Sequence, residues 1–298
     1  MKQPQASSGN GKHDATRAIA FMHIPKTSGT ALTQLFRQVL QPRLMVFGFD
    51  QSLFGGFKAF DTVSQDLRRY IYPGAPLPVD GADFITGHMA YSTLAQSCAT
   101  AELVTVLREP LSRLLSHWLY WRAFSDDQLQ PWAGWGDYVR QARRPLTAFL
   151  AHRDTACQTD NLIVRMLLWQ DRRIPHDDFI DTKNDNSLTY DAIERLQNFA
   201  FVDILENPEF VANLEAWLDQ SLTYPRVNEI TLVPLALRSP LHKELTLEAL
   251  DLLEERTRLD CQLWLWLAQQ KIPAQHVDGL MRHTFSRNIA RFAELMVG

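Results

Sequence analysis

Apolar residues along this chain come in two rhythms: short unbroken runs, and longer stretches in which they recur every third or fourth position. Residues 18–24 (AIAFMHI) form one short run, and an apolar segment of that length predicts a strand buried on both faces. The turn PKTSGT follows, and then ALTQLFRQVL, in which Leu32, Leu35, Phe36, Val39 and Leu40 recur at helical spacing. Residues 82–86 (ADFIT) make a second run that ends at Gly87-His88, and residues 103–107 (LVTVL) a third that ends at Arg108-Glu109-Pro110. The third passes into LSRLLSHWLYWR, where Pro110 suits a first helical turn because an N–H there has no intrahelical partner to lose. Residues 199–205 (FAFVDIL) are a fourth run, preceded by a helical stretch over 190–198. Strands alternating with helices predict an α/β fold, a P-loop-like, mostly parallel sheet flanked by helices. Two more helices, over 245–268 and 279–297, predict a helical C-terminal part.

The polar start, MKQPQASSGNGKHDATR, predicts a flexible tail over residues 1–16 and a single domain over 17–298. Residues 171–191 are polar and turn-rich and read as a surface excursion. The 298 residues are 46% hydrophobic and 21% charged, apolar enough for a sizeable core, which excludes disordered and collagen-like chains. A formal charge of −4 lacks the basic excess of a general nucleic-acid binder, so no nucleic-acid partner is expected. Cys98, Cys157 and Cys261 lie far apart without a CxxC, a pattern of neither a zinc site nor a disulfide framework. The start has no apolar core of a signal peptide, and no stretch reaches the roughly 18 apolar residues of a membrane span. The expectation is therefore a cytoplasmic protein with no transmembrane segment.

Candidate chemistry begins at the first strand end. In Pro25-Lys26-Thr27-Ser28-Gly29-Thr30 a lysine enters a small-residue turn at a helix N-terminus, where free N–H groups and the helix dipole favour an anion. Gly29 permits close backbone approach, and Thr27, Ser28 and Thr30 carry hydroxyls. The order differs from the nucleotide-triphosphatase loop, whose lysine follows its last glycine. The third strand ends in Arg108, where such enzymes commonly place a magnesium-holding Asp. A cation at that position repels a metal and attracts an oxyanion. Arg108, Arg113 and Ser116 lie in one strand-to-helix segment and predict a second phosphate pocket, with Arg113 and Ser116 facing the same way. No metal site is expected.

HIPKTSGT followed by VLREPLSRLLSHWLYWR resembles the two nucleotide-binding segments of sulfotransferases. It is most similar to the carbohydrate branch that includes heparan sulfate 2-O-sulfotransferase and its bacterial relatives. DNLIVRMLLW, AFVDILENPEF and LLEERTRLDCQLW resemble later segments of the same family in the same order, with Asp203 where glycine is usual. The resemblance implies a donor, 3′-phosphoadenosine 5′-phosphosulfate (PAPS), and the product 3′-phosphoadenosine 5′-phosphate (PAP), without a required metal. It places Pro25, Lys26, Thr27, Ser28, Gly29 and Thr30 at the phosphosulfate, Arg108 and Ser116 at the 3′-phosphate, and Arg165 in the cofactor-binding set. The family's base is a histidine after glycine at a central strand end, which here is His88. Its imidazole suits the removal of a hydroxyl proton. A second histidine of uronyl-sulfating members falls at Thr86, against a uronic acid acceptor. His117 is expected to pack or to support the site from behind.

The implied acceptor is a sugar hydroxyl on an oligosaccharide, glycolipid or polysaccharide. Two aromatic-rich stretches, residues 47–60 and 118–138, could line its cleft. Three other readings remain at this point: a P-loop small-molecule kinase, a non-catalytic nucleotide-binding protein, and a membrane-surface protein resting on the C-terminal helix with Arg282, Arg287 and Arg291.

Overall fold

The structure, a computed structural model, describes residues 11–74, 76–223 and 232–296. Six strands form one sheet: β1 (Ile19–Met22), β2 (Met45–Asp50), β3 (Ile71–Tyr72), β4 (Phe84–His88), β5 (Glu102–Leu107) and β6 (Phe201–Ile204). Their order is β3-β2-β4-β1-β5-β6, and every pairing is parallel. Parallel neighbours need crossover connections, which the helices supply. They are α1 (Gly29–Leu40), α2 (Tyr91–Ser97), α3 (Pro110–Arg122), α4 (Leu162–Leu168), α5 (Asp185–Leu196), α6 (Phe210–Leu218), α7 (Leu247–Lys271) and α8 (Leu280–Met296), with shorter helical turns between them.

β1 is fully buried, and its residues alternate between two cores. Ile19 and Phe21 join Leu32, Leu35 and Phe36 of α1 and Leu214 and Trp217 of α6 on one face. Ala20 and Met22 join residues of α2, α4, α5 and α7 on the other. A third cluster, built on Leu114, Trp118 and Trp121 of α3, carries the aromatic segments and α8.

The expected α/β architecture and helical C-terminal part are present. β2 and β3 were not expected. Gly48 interrupts the apolar pattern of β2, yet it sits there for contact: a Cβ would lie 2.4 Å from the Tyr72 ring. Next to it, Gly87 has φ +147°, and a Cβ there would meet Gly48 O at 1.9 Å. Two facing glycines thus let β2 and β4 approach just before His88.

Of the tail expected over 1–16, residues 1–10 lie outside the described residues. The rest is already tied to the domain, for His13 N–H donates to Trp217 O at 2.7 Å and the His13 ring packs on Trp217. Residues 185–191 of the expected surface excursion belong to α5. Among the described residues no helix is long and apolar enough to cross a membrane.

Two later segments hold each other. Asn161 Oδ1 accepts from Leu259 N at 2.8 Å, while the Asp260 carboxylate accepts from Ile163 N at 3.1 Å and Val164 N at 3.0 Å. Asn161 and Asp260 therefore lock the start of α4 to the middle of α7.

Candidate functional site

β1, β4 and β5 end side by side, and the chain passes from β4 to β5 across β1. Such a switch of direction leaves a crevice beyond the carboxyl ends of the strands, where ligands bind in open α/β sheets. His23, His88 and Arg108 all stand at this edge.

The loop from β1 to α1 is turned by Lys26 at φ 69° and Ser28 at φ 59°. Left-handed backbone costs a non-glycine residue about 1–2 kcal/mol. Its alternation with ordinary residues turns successive N–H groups toward one point, as in anion-binding nests. Pro25 and Thr27 are buried, and Thr27 Oγ1 donates to Ile24 O at 2.8 Å, so that hydroxyl braces the loop from inside. Ser28 and Thr30 are exposed. Gly29 is small for a reason other than close approach of a ligand. A Cβ there would lie 1.8 Å from the His23 ring, which fills that space.

Lys26 Nζ lies 4.0 Å from the centre of the Tyr120 ring, a cation–π contact. Burial, with the like charge of Arg108, lowers the Lys26 pKa to about 8. Arg108 Nη1 donates to Lys26 O at 3.1 Å and ties the end of β5 to the loop. Among the described residues no carboxylate forms an ion pair with Arg108. The charges of Glu206 and Glu109 do act on Arg108, but both carboxylates are bonded within the protein. Glu109 caps α3 by accepting from Leu111 N at 2.9 Å and Ser112 N at 2.8 Å. Glu206 accepts from Glu109 N at 3.0 Å and Trp264 Nε1 at 3.1 Å.

His88 Nδ1 lies 2.6 Å from His23 O. A carbonyl only accepts, so Nδ1 carries the hydrogen and Nε2 keeps a free lone pair, the tautomer a proton acceptor needs. Burial lowers the His88 pKa to about 4 against the opposing effect of that hydrogen bond. The free protein therefore holds the ring neutral at neutral pH. Asp50 at the end of β2 supports the segment that follows. Its carboxylate accepts from Ala90 N at 2.8 Å and Thr93 Oγ1 at 2.6 Å, fixing the turn from β4 into α2.

Three expectations for individual side chains need correction. Ser116 is partly exposed, but Arg113 is fully buried and points inside, so the two do not share one surface. All three Arg113 side-chain nitrogens lack a hydrogen-bond partner among the described residues. Arg165 is not presented to the crevice. It is buried and donates to Asp160 O, Asp160 Oδ2, Pro175 O and Asp178 O at 2.6–2.7 Å. Four of a guanidinium's five donors are thus consumed by the protein. Arg165→Ala is expected to destabilise the fold by about 3–5 kcal/mol, the cost of breaking a buried ion pair, as read by urea denaturation. Finally, the hydroxyl of Thr27 is spent on the loop itself. His117 is buried with its ring against Trp121.

Three groups escaped the sequence pattern. His23 precedes the loop, and its ring centre lies 4.3 Å from that of His88. Arg287 and Arg291 of α8 are exposed, and their charge acts on Arg108. Asn288 between them donates to Ser112 Oγ of α3 at 3.0 Å, pinning that helix face beside the site. The only available signal was their spacing of four on one helix, which said nothing of where the helix docks. Phe49 of the first aromatic-rich stretch stacks on His88 at 5.7 Å, and Trp132 of the second meets Phe49 at 6.0 Å. Most of their other large rings, including Trp118, Trp121 and Trp135, are core.

No protein-family model matches the chain, and no curated protein matches it.

Proposed function

We propose that the protein is a PAPS-dependent sulfotransferase acting on a hydroxyl acceptor, a sugar of an oligosaccharide or glycoconjugate. The observation that carries this reading is the row of groups along one sheet edge. A loop with Lys26 at a helix N-terminus stands at the end of β1, a histidine with a free Nε2 at the end of β4, and an arginine in no ion pair among the described residues at the end of β5. The spacing of the two segments in sequence supports a P-loop-like donor site. A kinase reading has less support, because β5 is followed by Arg108 and not by an acid that would hold magnesium.

The residues present fit such a donor. The loop N–H groups, Lys26, Ser28 and Thr30 would hold the phosphosulfate, and Arg108 with Ser116 the 3′-phosphate, with Arg287 and Arg291 adding charge from α8. PAPS supplies the activated sulfuryl group, whose S–O bond to the 5′-phosphate breaks, the electron pair passing to the phosphate, as the acceptor oxygen bonds sulfur. His88 Nε2 takes the acceptor proton, and Nδ1–H bonded to His23 O keeps the ring aimed while it becomes charged. Lys26 and the helix N-terminus stabilise negative charge as it shifts toward the leaving phosphate. Phe49 against His88, with Trp132 packed on Phe49, would offer flat apolar faces that suit a sugar ring.

Calorimetric titration with PAP in the absence of divalent metal, beside ADP and ATP with magnesium, tests the donor site. Metal-free binding of PAP is the expected result, and binding of only ATP with magnesium would replace the reading with a kinase. Lys26→Ala is expected to lower kcat for PAPS consumption by about 10²–10³-fold, the cost of losing one preorganised donor to developing charge. Unchanged turnover in that variant would discard the mechanism.

A further inference from the structure

The side chain of His23 takes no part in the chemistry described above, yet its placement is over-determined. Its N–H donates to Gly87 O at 3.1 Å, and its carbonyl accepts from the His88 ring, so its backbone is clamped to the end of β4. On one side its ring stacks on Phe21, with the planes only 4° apart. Gly29, the first residue of α1, has no side chain where this ring lies, with Cδ2 and Nε2 both 1.8 Å from a Cβ built there. The imidazole therefore sits against the helix end that favours an anion, and 4.3 Å centre to centre from His88. It is only partly buried, and its ring nitrogens have no hydrogen-bond partner among the described residues.

We propose that His23 is a second imidazole of the site, donating a hydrogen bond to the anionic group seated on the loop from the side where His88 stands. The proposal rests on the donor-site reading above and assigns His23 to the 5′ end of the nucleotide, the end that bears the group to be transferred. A ring used only as packing would not need nitrogen, and a phenyl would stack on Phe21 equally well. The charged or titratable groups facing it are His88 from β4 and Lys26 from the loop; α1 contributes Gly29 and Thr30, which do not titrate. Burial, with those two neighbours, holds the His23 pKa well below its ordinary value, so the ring is neutral in the free protein. An anion on the loop opposes all three effects. It strengthens the hydrogen bond and favours the imidazolium.

The test uses His23→Phe, which keeps an aromatic ring between Phe21 and His88 and removes the donor. Calorimetry would compare PAP with adenosine 3′-phosphate, which lacks the 5′ group, and NMR would follow the histidine rings of the wild-type protein. Expected are an approximately tenfold loss of PAP affinity in the variant, as for one charge-assisted hydrogen bond, with adenosine 3′-phosphate binding unchanged. The His23 ring should also titrate at least about one unit higher when saturated with PAP. Equal PAP affinity in both proteins, equal loss for both nucleotides, or a His23 titration indifferent to PAP would each overturn the assignment while leaving the donor site standing. A wild-type protein that binds no PAP would overturn the donor site and this assignment together. His23→Asn, which restores a side-chain N–H, should recover part of the affinity; a variant no better than His23→Phe in a protein of wild-type thermal midpoint counts against the proposal.

Discussion

Replacing His88 with alanine is expected to cut sulfuryl transfer by roughly 10²–10⁴-fold, the range for loss of a positioned general base. The measurement is PAP release from labelled PAPS with a panel of oligosaccharide acceptors, and PAP binding should change little. A variant retaining more than a tenth of the rate would remove His88 from the mechanism. The pH profile carries the same assignment. With its folded pKa at about 4, the ring is an unprotonated base throughout the neutral range, so the acid limb of kcat/KM due to His88 should fall near pH 4 and not near 6.5. Stability follows with the opposite cost. The pKa of His88 is depressed on folding, so between the folded value and about 6.5 the unfolded chain binds more protons. The contribution is complete above that window and is lost as the pH falls through it. His23 and His117 shift in the same direction, mainly by burial, and add to the effect. The thermal midpoint should therefore drop on acidification from pH 7 to 4, and less steeply in a His88→Ala variant.

Arg108→Ala is expected to weaken PAP binding by roughly 10–100-fold, the worth of one or two charge-assisted hydrogen bonds, and adenosine 5′-phosphate binding far less. The contrast between the two nucleotides is the readout, since only PAP carries the 3′-phosphate. Equal loss for both would place Arg108 elsewhere on the nucleotide. A second consequence follows from the like charge that Arg108 places on Lys26. Its removal should raise the Lys26 pKa above about 8, shifting the alkaline fall of loop-anion affinity to higher pH. Arg287 and Arg291 are exposed, so their help is screened, and a double alanine variant should lose less affinity, and lose it mainly at low salt.

The chain displayed its strand–loop–helix units plainly. β1, β4, β5 and β6 are short, mostly apolar runs, because a strand covered on both faces buries nearly every side chain, and the few polar ones, such as Thr105 and Asp203, are hydrogen-bonded. The Lys26 loop and Arg108 were legible for a related reason, since each follows directly on such a run and a strand end fixes where the next residues stand. β2 escaped because Gly48 and Asp50 break its pattern. Gly48 is required by Tyr72 from the next strand, and Asp50 by N–H and hydroxyl groups at the start of α2. Arg165 misled because its place in the sequence carries no mark of whether its guanidinium is spent on neighbouring carbonyls or offered to a ligand.

Composition and local periodicity were thus enough for the fold class, the helical C-terminal part, the anion-favouring loop and the histidine at a strand end. These depend on which face of an element is wet, a property each residue type records locally. The tertiary structure decided the rest. It set His23 against Gly29 and His88, brought the α8 arginines to Arg108, turned Arg113 inward and placed Phe49 over the histidine. Each of those contacts joins residues whose separation along the chain is bridged only by sheet order and helix docking. A side chain's partner across such a gap is set by the packing of whole elements, and no local pattern encodes it.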